Sequence, residues 1–206
     1  MRGWIHVGCL AAAAVACPLL CVQAPDAGAT AALAVYAAAM CALFAVSATF
    51  HRVRWRPAAR RIMRRADHAT IFVAIAGTYT AVAGLALSGW AQVLVLTVVW
   101  GGAAVGITVR QLWLDAPKWA VTVPYVVVGW CALAVIPQLV AAMGGAGFGL
   151  LVAGGVCYSA GAVVYARRRP DPVPAVFGYH EVFHTATAMG AALHFAAIAL
   201  YALPRA

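Results

Sequence analysis

The sequence predicts an all-α membrane protein, a bundle of seven transmembrane helices with its N-terminus cytoplasmic and its C-terminus external. Three observations predict it. Apolar residues make up 66% of the chain and charged residues 9%, with a mean hydropathy of +0.92, far from the composition of a soluble domain. The apolar residues are gathered into runs close to the length a bilayer core demands, and 206 residues have room for about seven such runs with short loops. The basic residues fall between the runs, on one side of the implied membrane. Residues 1–206 are expected to form a single membrane domain.

In chain order, spans are expected near 4–22, 29–50, 68–87, 90–109, 119–137, 147–166 and 181–203. The first opens after Met1-Arg2-Gly3 and runs on to Val22 without a small-x-small cleavage site, so it reads as an uncleaved span rather than a removed signal. The second ends at Ser47 and Phe50-His51. An arginine-rich loop, Arg52 to Arg65, leads to Asp67-His68 at the entry of the third. The sixth carries Gly154, Gly155, Ser159 and Gly161, small residues that let helix backbones approach closely. The seventh opens with Gly178-Tyr179-His180-Glu181-Val182-Phe183-His184.

Charge placement tests this layout. Arg2 precedes span one, seven arginines from Arg52 to Arg65 follow span two, Arg110 and Lys118 follow span four, and Arg167, Arg168 and Arg169 follow span six. With seven spans all of these share a face, and only Arg205 falls on the other. The positive-inside rule makes that shared face cytoplasmic. The net charge of +9 therefore reads as a topology determinant that touches anionic headgroups. It does not read as a nucleic-acid surface, since Trp55 is the only aromatic interleaved with the arginine run. The six cysteines, Cys9, Cys17, Cys21, Cys41, Cys131 and Cys157, all lie in apolar runs and read as small buried residues rather than a disulfide framework.

The seven-span layout brings Ser47, His51, Asp67, His180 and His184 to the cytoplasmic end of the bundle. His180 and His184 are four apart, so one helical face offers two imidazoles to a single point. Imidazoles at membrane depth need partners inside the protein, and a metal is one that both can share. Three neutral imidazoles with a fourth position left for water is the pattern of an open zinc site. In that reading Zn2+ is held by His51, His180 and His184. Asp67 is placed to take a proton from water, and Ser47 to orient a neighbouring group or stabilise an oxyanion. An N-cap at the start of span three is the competing role for Asp67.

His180-Glu181-Val182-Phe183-His184 also matches the HExxH pattern of zinc proteases, in which Glu181 would be the general base. Asp171, in the loop Arg169-Pro170-Asp171-Pro172, lacks the surroundings that membrane-embedded proteases show. His6, His68 and His194 are weaker candidates. His68 lies about 100° around the helix from Asp67, and His194 about 15 Å beyond His184, where a buried, hydrogen-bonded imidazole is expected.

A family resemblance rests on these residues together. Ser47-x-x-x-His51, Arg64-Arg65-Ala66-Asp67-His68, Ala76-Gly77-Thr78-Tyr79-Thr80, Gly129-Trp130, Gly155-Val156-Cys157-Tyr158-Ser159-x-Gly161, and His180-Glu181-x-Phe183-His184 with Ala192-Leu193-His194-Phe195 resemble the hemolysin III family, within the progestin and adipoQ receptor superfamily. The resemblance implies a seven-helix bundle with zinc on His51, His180 and His184, and Asp67 and Ser47 beside it. Receptor members resemble lipid amide hydrolases, and some bacterial members are described as pore-forming hemolysins. The long N-terminal region of the receptor members is not seen here, so hormone signalling is not expected. The Ala, Val, Gly and Arg bias resembles a bacterial member, in the cell (inner) membrane. The function expected is zinc-dependent hydrolysis of a lipid-like amide or ester, with membrane lipid as surroundings and substrate source. The alternative is a pore-forming protein with a structural zinc.

Overall fold

The computed structural model describes residues 3–113 and 115–206, all of it helix and connecting turn apart from one isolated bridge between Val173 and Phe177. Arg2 and the side chain of Lys118, both counted above on the basic face, lie outside what is described. The helices are α1 (Trp4–Val22), α2 (Ala27–Arg52), α3 (Pro57–Ala86), α4 (Gly89–Leu112), α5 (Lys118–Gly129), α6 (Ile136–Arg167) and α7 (Tyr179–Ala197). A 3₁₀ stretch, Cys131–Val135, separates α5 from α6, and a π turn, Ile198–Ala202, extends α7.

Local chemistry accounts for several of these boundaries. Asp26 caps α2, its Oδ1 accepting from the Ala29 amide at 2.8 Å, so one of the unpaired first-turn donors is satisfied. Pro57 opens α3, where its missing N–H is no loss. Pro137 in the first turn of α6 has no N–H to carry a helix through from α5, and the 3₁₀ stretch lies just before it. α3 begins about three turns before the entry expected near residue 68. The arginine-rich segment is therefore largely helix, since arginine is a good helix former, and Asp67 lies inside α3 rather than at its N-cap.

Six stretches of the described residues are long and apolar enough to cross a membrane, where seven were expected. The difference lies in one stretch, Thr122–Arg167, whose 46 residues would reach about 69 Å if straight, over twice a hydrocarbon core of about 30 Å. It is not one straight rod. Gly144, at φ 72° and ψ 167°, interrupts it in a conformation that residues with a side chain avoid. Large apolar side chains such as Val15, Val93, Val105 and Val127 face outward, as expected of surfaces in contact with lipid rather than water.

The helix contacts that place the site are made through small residues. A Cβ added at Gly77 of α3 would lie 2.5 Å from the Ala39 Cβ of α2, and one at Gly84 would lie 2.7 Å from the Ala32 Cβ. Seven residues down α2 thus match seven up α3. Carried ten residues the other way, the same register sets Asp67 level with Thr49, between Ser47 and His51. Leucine at Gly77 should overpack this crossing and destabilise the protein by about 1–3 kcal/mol, visible as a lower Tm in detergent. An unchanged Tm would mean the crossing is looser than its geometry implies.

Candidate metal centre

The last turn of α2 and the first two turns of α7 face one another at one end of the bundle, and each delivers imidazoles. His180 Nε2 lies 3.3 Å from His51 Nε2 and 3.0 Å from His184 Nε2. The three donor atoms all fall within 4.8 Å of one another. The His51 ring is inclined at 70° to that of His180 and 66° to that of His184, so their nitrogens converge while the rings diverge.

A neutral imidazole has one N–H and one lone pair, and a cation can accept lone pairs from all three converging Nε2 atoms at once. With metal–nitrogen distances of about 2.0–2.1 Å, a tetrahedral ion separates its ligand nitrogens by about 3.3 Å. The two spacings to His180 Nε2 are close to that edge, and the donor set suits a borderline divalent ion.

The carboxylate of Asp67 completes the cluster. Its Oδ2 lies 3.9 Å from His51 Nε2, and the Ser47 hydroxyl stands close enough to act on the same carboxylate. Ser47 is buried, while the His51 and Asp67 side chains keep 12% and 14% of their surface exposed. The α2–α3 register and the pitch of α7 have therefore brought all five expected residues, Ser47, His51, Asp67, His180 and His184, into one cluster.

The family described as "Haemolysin-III related" matches residues 1–195. The chain belongs to the haemolysin III family. Hemolysin-3 of Bacillus cereus is 31% identical over 180 residues, covering 87% of this chain and 79% of the relative. The Hemolysin-3 homolog of Bacillus subtilis (strain 168) is 29% identical over 167 residues, covering 81% and 75%.

In this haemolysin III protein, the glutamate of the HExxH pattern serves the backbone. Glu181 is buried, and its Oε2 accepts from the Gly178 amide at 3.0 Å. Asp171 Oδ1 accepts from the Tyr179 amide at 2.7 Å. These two acids satisfy the entry of α7 and hold the helix end that carries His180.

Sequence reasoning set His6 aside, yet its ring stacks on His184, with centroids 4.1 Å apart and planes 14° from parallel. His6 is 2% exposed, and among the described residues neither of its nitrogens has a geometrically sound hydrogen-bond partner. Its place in the first turn of α1, at the basic end, was the signal available in the sequence. Trp4 fixes that end of α1, since the Arg52 guanidinium lies over its ring at 3.5 Å. His194 is hydrogen-bonded as expected, its Nε2 lying 3.0 Å from the Leu151 carbonyl oxygen, but it is half-buried rather than buried.

A cavity runs from the polar cluster into the bundle between α3, α5, α6 and α7. Asp67 and His180 stand at one end of its lining and Tyr79 and His194 toward the other, about 18–21 Å along the helices. Its walls between those ends are mainly apolar and aromatic.

Proposed function

We propose that this haemolysin III family member is a zinc-dependent hydrolase of a lipid-like amide or ester. Its ion is held by His51, His180 and His184. The observation that carries this reading is the shared lining of the cavity: an apolar channel long enough for an acyl chain ends at Asp67 and His180. Pockets of this kind bind the apolar body of a ligand and present its polar end to a few placed groups.

Zinc, when bound, supplies a Lewis acid that acidifies water and polarises a carbonyl. Asp67 holds the proton removed from the attacking water, on the carboxylate edge that faces His51. The Ser47 hydroxyl donates to that carboxylate and fixes its orientation. As the water oxygen bonds to the acyl carbon and the carbon–nitrogen or carbon–oxygen bond breaks, Asp67 returns the proton to the departing amine or alcohol. The apolar walls exclude bulk water from the chain beyond the reacting end.

The membrane arrangement belongs to the same reading. With Gly144 as a joint, α5 with the residues up to Met143 makes one crossing and the remainder of α6 another, giving seven. The basic ends then face the cytoplasm of a bacterial cell and the C-terminus lies outside. A phosphatase fused after Ala206 should accordingly be active, and an inactive, stably expressed fusion would overturn the orientation.

The direct test presents zinc-loaded protein with long-chain esters and amides. Product that disappears with a chelator and returns with zinc supports hydrolysis; a panel left intact while the site is open to solvent overturns it. The names of the Bacillus relatives favour a second reading, a pore with a structural ion. Liposome leakage that survives Asp67→Asn would support the pore, which has no use for a base.

A further inference from the structure

His68 follows Asp67 on α3 and lines the same cavity, although its position on the helix turns it away from the three imidazoles. Its Nδ1 accepts from Arg110 Nε at 2.7 Å. A guanidinium has donors only, so this nitrogen must be unprotonated and the single ring N–H must sit on Nε2. The tautomer is set by the partner, which is the usual way proteins fix one. Tyr125 holds the same residue from the other side, its hydroxyl donating to the His68 carbonyl oxygen at 3.1 Å.

Arg110 is an unusual partner to find there. It is 4% exposed, and a charge so buried is unfavourable unless its donors are satisfied. Its Nη1 donates to the Trp113 carbonyl oxygen at 2.7 Å. Both of these acceptors are neutral, and among the described residues no carboxylate pairs with it. Asp115, which is close by in sequence, pairs instead with Arg64 at 3.0 Å. Asp115 therefore offsets the positive charge of Arg110 only at longer range, and that charge polarises the imidazole in front of it. An N–H polarised by a cation is a stronger donor. Among the described residues nothing accepts from His68 Nε2.

The geometry points to His68 as the residue that hydrogen-bonds the carbonyl oxygen of a lipid-like ligand in the cavity, with Arg110 as the positioning residue that keeps its N–H on Nε2. The inference deepens the hydrolytic reading and rests on it for the class of ligand. A neutral, donor-only group beside the Asp67 carboxylate selects an acceptor such as an amide, ester or ketone oxygen. It has nothing to offer a second donor such as an ammonium group. The substrate's carbonyl would be held by Nε2–H while Asp67 handles the proton.

The test separates this role from turnover by using a ligand that cannot be hydrolysed. Binding is measured in detergent for a fluorescently tagged long-chain ketone and for the same compound with CH₂ in place of the carbonyl. Wild-type protein should prefer the ketone by roughly threefold to tenfold, the worth of one net hydrogen bond. His68→Leu should abolish that preference while leaving the affinity for the CH₂ analogue unchanged, and His68→Gln, which offers an amide N–H, should restore part of it. Arg110→Lys should retain the preference because lysine is also a donor only, whereas Arg110→Met should lose it. Nitrogen-15 spectra of histidine-labelled protein should show His68 protonated at Nε2 in the wild type and the lysine variant.

Equal affinity of wild-type protein for the two compounds, a preference that survives His68→Leu, or a proton on Nδ1 would each overturn the assignment. If Arg110→Met does not fold, the lysine and His68 variants still decide the matter. A ketone preference without ester turnover would refute hydrolysis and leave His68 in its role. Turnover with unchanged kcat and KM in His68→Leu would do the reverse.

Discussion

Alanine in place of His51, His180 or His184 is expected to remove the metal from an otherwise folded protein. Wild-type protein purified in detergent should carry about one zinc per chain by mass spectrometry, and each variant close to none. Changes to groups behind a ligand typically weaken metal binding by about 10–100-fold, so loss of one of three ligands should exceed that range. The effect extends to stability. An ion bound only by the folded state, present at about a thousand times its Kd, stabilises that state by about 4 kcal/mol. A chelator should therefore lower the wild-type Tm and leave the variants where they are. Wild-type protein that neither contains nor takes up zinc would refute the centre, and the hydrolytic reading with it.

Asparagine at Asp67 should separate binding from chemistry. The substitution keeps the size of the side chain while removing the basic oxygen. Zinc content should stay near one per chain, because Asp67 stands beside the imidazoles rather than among the three converging donors. Turnover of a long-chain ester or amide should fall by roughly 10²–10⁴-fold, the usual contribution of a positioned base. Ser47→Ala should cost less, about 10–100-fold, since the hydroxyl acts through the carboxylate it orients. A metal-replete Asp67→Asn protein with wild-type kcat would assign the base to another group.

The convergence of α2 and α7 was legible because it follows from two periodicities. Four residues separate His180 from His184, and the alternation of spans returns His51 and Asp67 to the same side. The start of α3 was not legible, because hydropathy reports how much of a helix suits lipid rather than where the helix begins. Pro57 and the arginines after it are good first-turn and helix-forming residues whatever their polarity. Gly144 was similarly hidden, one glycine among several in an apolar run whose dihedral angles alone set it apart. His6 and Arg110 were missed for a different reason. The stacking of His6 on His184 and the bond from Arg110 to His68 join residues far apart in the chain, and no local pattern announces such pairs.

The ligands of the candidate centre are divided between the two ends of the polypeptide: His51 and His180 lie 129 positions apart. During synthesis the first ligand enters the membrane with α2, and the other two follow only when α7 is inserted. Until then a nascent chain holds only one of the three converging imidazoles, too few for a stable site. An ion held by all three could be bound only once α7 has joined α2, so a chain cut before His180 would lack the site.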